Sequence, residues 1–219
     1  SYADAIAKLR APVVLVGQSG AYLGCPSVRL DNFNAAKAMV NYLIGLGHRR
    51  IGCLAVPDHD VGIGIERKRG YLAALAENGL DFDPALLRVG SFEYASGEEG
   101  VKALMAAPGG APTAIYTITD RLAVAAAGWL LRSGRRVPED VSVACIDDPE
   151  LLSFCYPAIT AMSFDYRQAG MRAARMLIDN IEGKADGERP EKGAAPPVEV
   201  VMPHTLRVRE STGVPEAKR

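Results

Sequence analysis

Short apolar runs alternate along the chain with longer segments that carry apolar residues at helical spacing. The run from Val141 to Ile146 is typical of a buried strand, whereas apolar residues three and four positions apart between Asn32 and Leu46 predict a helix. The same pattern predicts strands over 13–16, 27–30, 51–56, 86–92, 113–118, 141–146, 160–164, 198–202 and 204–208, and helices over 32–46, 65–78, 96–107, 120–133 and 165–182. This alternation of strands and helices indicates an α/β fold with parallel sheets and crossover helices.

Composition excludes several classes of protein. Of the 219 residues, 48% are hydrophobic, which is enough to form a packed core and argues against global disorder. The net charge of −1 supplies no overall basic field that would hold nucleic acid. The chain shows neither a signal peptide nor an apolar run of membrane-spanning length, so we expect a cytoplasmic protein with no membrane contact.

The sequence carries no recognisable metal or cofactor motif. Its four cysteines, Cys25, Cys53, Cys145 and Cys155, lack C-x-x-C spacing, and we interpret them as reduced residues in or near the core. No G-x-G-x-x-G follows a predicted strand, and no Walker sequence is present. We therefore expect neither a metal nor a cofactor.

Polar or aromatic residues follow nearly every predicted strand. They are Gln18 and Ser19, Asp31, the stretch 58–60, Phe92, Thr119 and Asp120, and Asp147 and Asp148. Ligands of open α/β sheets bind beyond the carboxyl ends of the strands, so these positions predict a small-molecule site. An aspartate there also commonly caps the next helix, which is an equal alternative for any single one. Capping explains neither Phe92 nor the second aspartate of the pair at 147–148.

Arg67 lies near the start of a predicted helix, where the macrodipole disfavours a cation. We therefore expect it to have a partner, either a carboxylate or a bound ligand; the alternative is a solvated arginine beside Lys68 and Arg69. A guanidinium combined with carboxylates and an aromatic face is suited to hydroxyl-rich ligands.

The sequence offers few candidate catalytic residues. His48 follows a predicted helix end, where a structural cation is favoured, and no G-x-S-x-G nucleophile motif accompanies any of the three histidines. Asp31, Asp120 and Asp147 are the candidates for an acid–base pair, but no separation between them follows from the sequence. We predict no catalytic residue, and an enzyme acting on sugars remains a minor alternative.

Several segments together resemble the effector-binding domain of LacI/GalR-type transcriptional regulators. They are PVVLV (12–16), VRLDNFNAAKAMVNYLIGLGHRRIGCL (28–54), ERKRGYLAAL (66–75), PTAIYTITDRLAVAAAGWLLRSGRRVPEDVSVACIDDPEL (112–151) and LRVREST (206–212). The resemblance implies two Rossmann-like lobes of the type I periplasmic-binding-protein kind that close on a small effector. A sugar or a related metabolite is the ligand it implies.

The resemblance also assigns residues to the effector site. The implied effector contacts are Gln18 and Asp31 from the first lobe, and Arg67, Phe92, Asp120 and Asp147 from the second. Val61, Ile63 and Phe164 stand where polar side chains are frequent in the family, so they are possible pocket-lining residues of a less polar site.

The implied lobes divide the chain into discontinuous parts. Residues 1–48 and 163–182 are expected to form a first lobe that lacks part of its sheet, and 49–162 with 196–210 the second. Residues 183–195 are predicted to be a mobile loop and 211–219 a frayed tail. The family's N-terminal DNA-binding helix-turn-helix is absent from this sequence.

The implied partners are a small-molecule effector, a second copy of the chain contacted through both lobes, and operator DNA bound only through the missing head. The main alternative is the periplasmic solute-binding protein of a sugar transporter, which has the same fold but needs a secretory signal.

Overall fold

The computed structural model describes residues 9, 11–58, 61–182 and 198–216, and it confirms the α/β fold with parallel strands. The strands are β1 (Leu15–Val16), β2 (Ser27–Leu30), β3 (Ile51–Ala55), β4 (Leu87–Val89), β5 (Ala114–Thr117), β6 (Ser142–Ile146), β7 (Thr160–Phe164), β8 (Glu199–Met202) and β9 (His204–Arg207). The α-helices are α1 (Asn32–Gly45), α2 (Arg67–Glu77), α3 (Tyr94–Met105), α4 (Asp120–Arg132) and α5 (Tyr166–Ile181). The predicted loop over 183–195 lies outside the described residues.

The chain forms two compact units. The first comprises the described residues of Ser1–Asp31 and Phe164–His204, and the second those of Asn32–Ser163 and Thr205–Arg219. The first unit has a three-stranded sheet in the order β1-β2-β8, in which both neighbouring pairs are parallel. Helix α5 packs against β1 and β2.

The second unit has a six-stranded sheet in the order β4-β3-β5-β6-β7-β9. The pairs from β4 through β7 are all parallel, so the carboxyl ends of these five strands lie at one edge. The side chains of β3, β5 and β6 are all buried, as expected for central strands covered on both faces. This edge is therefore the place where residues that follow β3 to β6 gather.

Helix α1 belongs to the second unit, which differs from the predicted boundary at residue 48. It packs closely against α2 at Gly70. A Cβ at this position would lie only 2.4 Å from the carbonyl oxygen of Phe33 and 2.7 Å from the Cβ of Ala36, so the two helices can approach this closely only with glycine there. Strand β8 belongs to the first unit, since it pairs with β2 rather than with the second sheet. Both differences arise from contacts between segments that are distant in sequence.

The expected frayed tail at 211–219 is wrong for Ser211, which is fully buried. Its hydroxyl donates to the Val143 carbonyl at 2.6 Å and accepts from the Thr160 amide at 2.8 Å. Its backbone bonds the Val143 amide and the Ala158 carbonyl. The C-terminal segment is thus part of the second unit, while 217–219 lie outside the described residues.

We expect Ser211→Ala to lower the free energy of unfolding by about 1–3 kcal/mol, because it leaves a buried amide and a buried carbonyl without their side-chain partner. Urea denaturation followed by circular dichroism measures the change. Ser133→Ala is the matched control, because Ser133 is exposed and its hydroxyl bonds only the carbonyl of its own helical turn. Equal stability of wild type and Ser211→Ala would contradict this role.

His48 is buried at the end of the turn that follows α1, where it joins three segments of the second unit. Its Nδ1 lies 2.9 Å from the Thr113 hydroxyl and its Nε2 lies 2.9 Å from the Gly213 carbonyl oxygen. Burial lowers the pKa of His48 below 6.5, although the bond to Gly213 opposes the shift. The residue is structural as predicted, but the neutral ring is favoured rather than the expected cation.

A lowered pKa in the folded state means that the unfolded chain takes up the His48 proton first as the pH falls. The contribution of His48 to stability should therefore be complete above pH 6.5 and decline as the pH falls through its lower folded-state pKa. Unfolding titrations between pH 8 and pH 5 should show a shallower acid-side decline for His48→Gln than for wild type. Parallel pH profiles would contradict the assignment.

Candidate functional site

The Arg67 guanidinium is the most deeply buried charge at the carboxyl edge of the second sheet, with 1% of its side chain exposed. Its Nη1 and Nη2 donate to the two carboxylate oxygens of Asp147 at 2.7 and 3.1 Å, which makes the pair bidentate. Its Nε donates to Asn32 Oδ1 at 2.7 Å, and Nη1 also donates to the Ile118 carbonyl at 2.6 Å. Of the two predicted partners, a carboxylate or a ligand, the structure supplies the carboxylate.

The segment before Arg67 directs the side chain inward. Residues Val61–Glu66 form a π-helical turn that leads directly into α2. Gly64 allows this turn to approach the preceding loop, because a Cβ there would lie 2.3 Å from the Pro57 carbonyl oxygen. Arg67 thus begins the α-helix, where an unpaired cation would oppose the macrodipole, and Asp147 offsets that unfavourable interaction.

Asp147 is the first residue after β6 and has a left-handed backbone with φ of 74°. Aspartate is among the few residues other than glycine that adopt this conformation readily. Its amide donates to the Met162 carbonyl at 2.9 Å, which ties the turn to the neighbouring β7. The side chain remains 19% exposed, so the carboxylate faces both Arg67 and solvent.

Asp120 begins α4, directly beyond the end of the neighbouring β5, and is half-buried. Burial raises its pKa, and the negative charge of Asp147 raises it further. Asp147 is paired with Arg67, whereas no ion pair of Asp120 is found among the described residues. The neighbouring Arg121 only partly opposes the raised pKa of Asp120. The adjacent Thr119 hydroxyl is buried and has no hydrogen-bond partner among the residues that the structure describes.

The other predicted residues of the second unit lie at the same edge or in the turn before α2. Phe92 is half-buried in the bend between β4 and α3, not in the strand as predicted. Ile63 is half-buried in the π-helical turn, and the Val61 side chain is not among the side chains that the structure describes.

Three predicted residues belong to the first unit. Gln18 is exposed beyond β1, and Asp31 is half-buried at the end of β2, with its amide 3.4 Å from the Met202 carbonyl oxygen. Phe164 is buried, with its ring edge-on to those of Tyr166 and His204. The roles of Gln18 and Asp31 as effector contacts, and of Phe164 as pocket lining, remain predictions.

Two residues that position the site are absent from the sequence-based prediction. Asn32 is 2% exposed and fixes the Arg67 Nε, although the sequence presents it only as a possible helix cap. Arg209 places its Nη2 2.8 Å from Asp148 Oδ1, so the second aspartate of the pair has a structural partner. Neither contact leaves a local signal, because each joins residues far apart in sequence.

A cavity of about 200 Å³ lies elsewhere in the second unit, between the β3–β4 edge and α3. Its lining residues are Leu54, Ala55, Arg88, Val89, Gly90, Ser96, Glu99, Gly100, Ala103 and Leu122. None of the predicted effector contacts belongs to it. Within the described residues, no group of three or more His, Cys, Asp or Glu side chains is placed to hold a metal ion.

These observations define an α/β ligand-binding domain with charged side chains gathered beyond the carboxyl ends of parallel strands. The chain belongs to the family described as periplasmic binding protein-like domain, whose pattern matches residues 40–212. Within this family it has the features of the effector-binding domain of LacI/GalR-type regulators, as the sequence resemblance predicted.

Named relatives and solved structures agree with this placement. The HTH-type transcriptional repressor CytR of Escherichia coli K12 is 34% identical over 176 residues, which are 80% of this chain and 51% of CytR. The HTH-type transcriptional regulator CelR of Thermobifida fusca is 35% identical over 198 residues, 88% of this chain and 55% of CelR. This chain thus spans about half the length of these relatives.

The structural comparisons cover more of the chain. A transcriptional regulator CelR–cellobiose complex superimposes with a TM-score of 0.77 at 30% identity, covering 96% of this chain and 68% of that one. A LacI-type regulator from Bifidobacterium animalis gives a TM-score of 0.81 at 26% identity, covering 94% and 74%. Among the described residues, no helix is long and apolar enough to cross a bilayer.

We expect Arg67→Met to destabilise the second unit by about 3–5 kcal/mol, because the half-buried Asp147 loses its cation and Asn32 loses its donor. Lys68→Met is the matched control. Lys68 pairs with the exposed Asp58, and exposed pairs contribute about 0–1 kcal/mol. Chemical denaturation measures both changes. Equal losses of stability for the two variants would contradict the stabilising role of the buried Arg67 ion pair.

Proposed function

We propose that this chain senses a small effector for a LacI-type transcriptional regulator, and that the effector is a sugar or a similarly hydroxylated metabolite. The observation that carries the proposal is the position of two carboxylates, Asp120 and Asp147, beyond the carboxyl ends of the neighbouring strands β5 and β6. One of them is held in place by the buried Arg67. The cellobiose present in the structurally similar CelR complex supports the sugar class.

The chemistry of the two carboxylates suits hydroxyl donors. An ionised carboxylate only accepts hydrogen bonds, and sugar hydroxyls supply donors that a purely apolar ligand lacks. Arg67 uses at least three of its donor atoms on protein oxygens, so we assign it the role of orienting Asp147. Asp120 has no such bidentate partner in the part of the chain that the structure describes, so it is the carboxylate that we expect to gain most from a ligand hydroxyl.

Neighbouring groups support a site of mixed polarity. Phe92 supplies an aromatic ring at the same edge, and a ring face against the apolar face of a sugar is a common complement to hydroxyl contacts. Thr119 supplies a buried hydroxyl beside Asp120. The proposed contacts in the first unit are Gln18 and Asp31, with Phe164 of that unit and Ile63 of the second unit as apolar lining.

For the whole protein we propose that it represses transcription in the cytoplasm, with operator DNA and a second copy of the chain as partners. The roles of CytR and CelR, given by their names, support this proposal. An effector regulates such a protein only through its different affinities for two conformational states. The names of these relatives do not favour the transporter or enzyme alternatives.

A calorimetric titration with a panel of sugars, polyols and nucleosides that includes cellobiose tests the proposal. We expect saturable binding of at least one hydroxylated compound, and Asp120→Asn should weaken it by about tenfold or more because a charge-assisted hydrogen bond becomes a neutral one. Asp81→Asn is the matched control, since Asp81 is an exposed loop residue of the same unit.

Two outcomes would contradict the proposal. The sugar class fails if no hydroxylated compound binds, and the site fails if one binds equally well to wild type and Asp120→Asn. A normal circular dichroism spectrum and unfolding curve for Asp120→Asn would show that any loss of binding does not come from misfolding.

A further inference from the structure

Helix α5 of the first unit has two apolar faces. Ala169 and Ala173 are buried on the face that packs toward the sheet. Met171 and Ile178 point away from it and are 63% and 45% exposed, and Ile181 is 65% exposed. A helix that only covers its own sheet would be expected to carry polar residues at such positions.

The exposed residues form a regular seam. Met171, Ala174, Ile178 and Ile181 follow one another at intervals of three, four and three residues, and all four are exposed. This is the a/d spacing by which one helix packs against another. The seam therefore fits a helix better than it fits an extended peptide or a flat surface.

Three arginines flank the amino-terminal half of this seam. A surface groove of about 550 Å³ is lined by Asp165, Arg167, Gln168, Met171, Arg172 and Arg175. Arg175 pairs with Asp179 at 3.1 Å, whereas no ion pair of Arg167 or Arg172 is found in the part of the chain that the structure describes. Arg167 lies in the first turn, where a cation opposes the helix dipole, so helix stability does not explain it.

We propose that this face of α5 binds an amphipathic helix of a partner protein whose apolar stripe is flanked by acidic residues. The apolar stripe would pack on the seam, and its acidic flank would lie against Arg167 and Arg172. A second copy of this chain fits less well. In an antiparallel pair it would offer Asp179, which is already bonded to Arg175, and Glu182, which also has an interaction of its own. The inference is independent of the proposed effector site.

The test uses the full 219-residue chain and a fluorescein-labelled helical peptide with leucines at the same seam spacing and glutamates flanking them. Fluorescence anisotropy should show saturable binding that weakens as salt is raised, because the charge attraction is screened. The Arg167→Glu/Arg172→Glu double variant should bind about tenfold or more weakly, since attraction becomes repulsion. Met171→Asp should have a similar effect through the seam.

Matched controls isolate the surface. Arg132→Glu reverses an exposed charge on α4 of the other unit and should leave binding unchanged. A peptide with lysines in place of the glutamates should not bind. The arginine variants are at exposed positions, and unchanged unfolding curves would show that they fold.

Three results would overturn the proposal. The first is the absence of saturable binding, and the second is equal binding of the acidic and basic peptides or of wild type and the double arginine variant. The third is self-association in sedimentation velocity that Met171→Asp abolishes, because it would assign the face to a second copy.

Discussion

The central interaction of the second unit is the burial of the Arg67 guanidinium. Moving such a charge out of water costs several kcal/mol unless carboxylate and carbonyl oxygens replace its hydration. Arg67 obtains these oxygens from the start of α1, from the residue that follows β5 and from the residue that follows β6. Three segments that are distant in sequence are therefore held together at the sheet edge where a ligand of this fold class is expected.

This constraint links folding to the candidate site. Asp147 is fixed by the bidentate pair with Arg67 and by its own backbone turn, so its carboxylate is oriented before any ligand arrives. No ion pair of Asp120 is found among the described residues, and its pKa is raised by burial and, to a smaller extent, by the charge of Asp147. A site with one neutralised and one uncompensated carboxylate can hold a hydroxylated ligand without a large rearrangement.

Much of this arrangement could be predicted from the sequence, because periodicity locates strands and helices and parallel strands bring their carboxyl ends to one edge. The positions of Asp120 and Asp147 were predicted in this way, whereas the partner of Arg67 was predicted from the cost of a cation at a helix start. The roles of Asn32 and Ser211 and the placement of α1 were not, because each depends on a contact between distant segments, such as the close approach at Gly70. Residues of these types occur at many caps and tails, so their local sequence does not distinguish them.

A double-mutant cycle between Arg67 and Asp147 tests the account most directly. The free energies of unfolding of Arg67→Met, Asp147→Asn and the double variant are compared with that of wild type. We predict that the two losses are far from additive, with a coupling energy of about 2 kcal/mol, because each residue compensates the other's charge. Additive losses would show that the guanidinium and the carboxylate do not depend on each other, and would contradict the account.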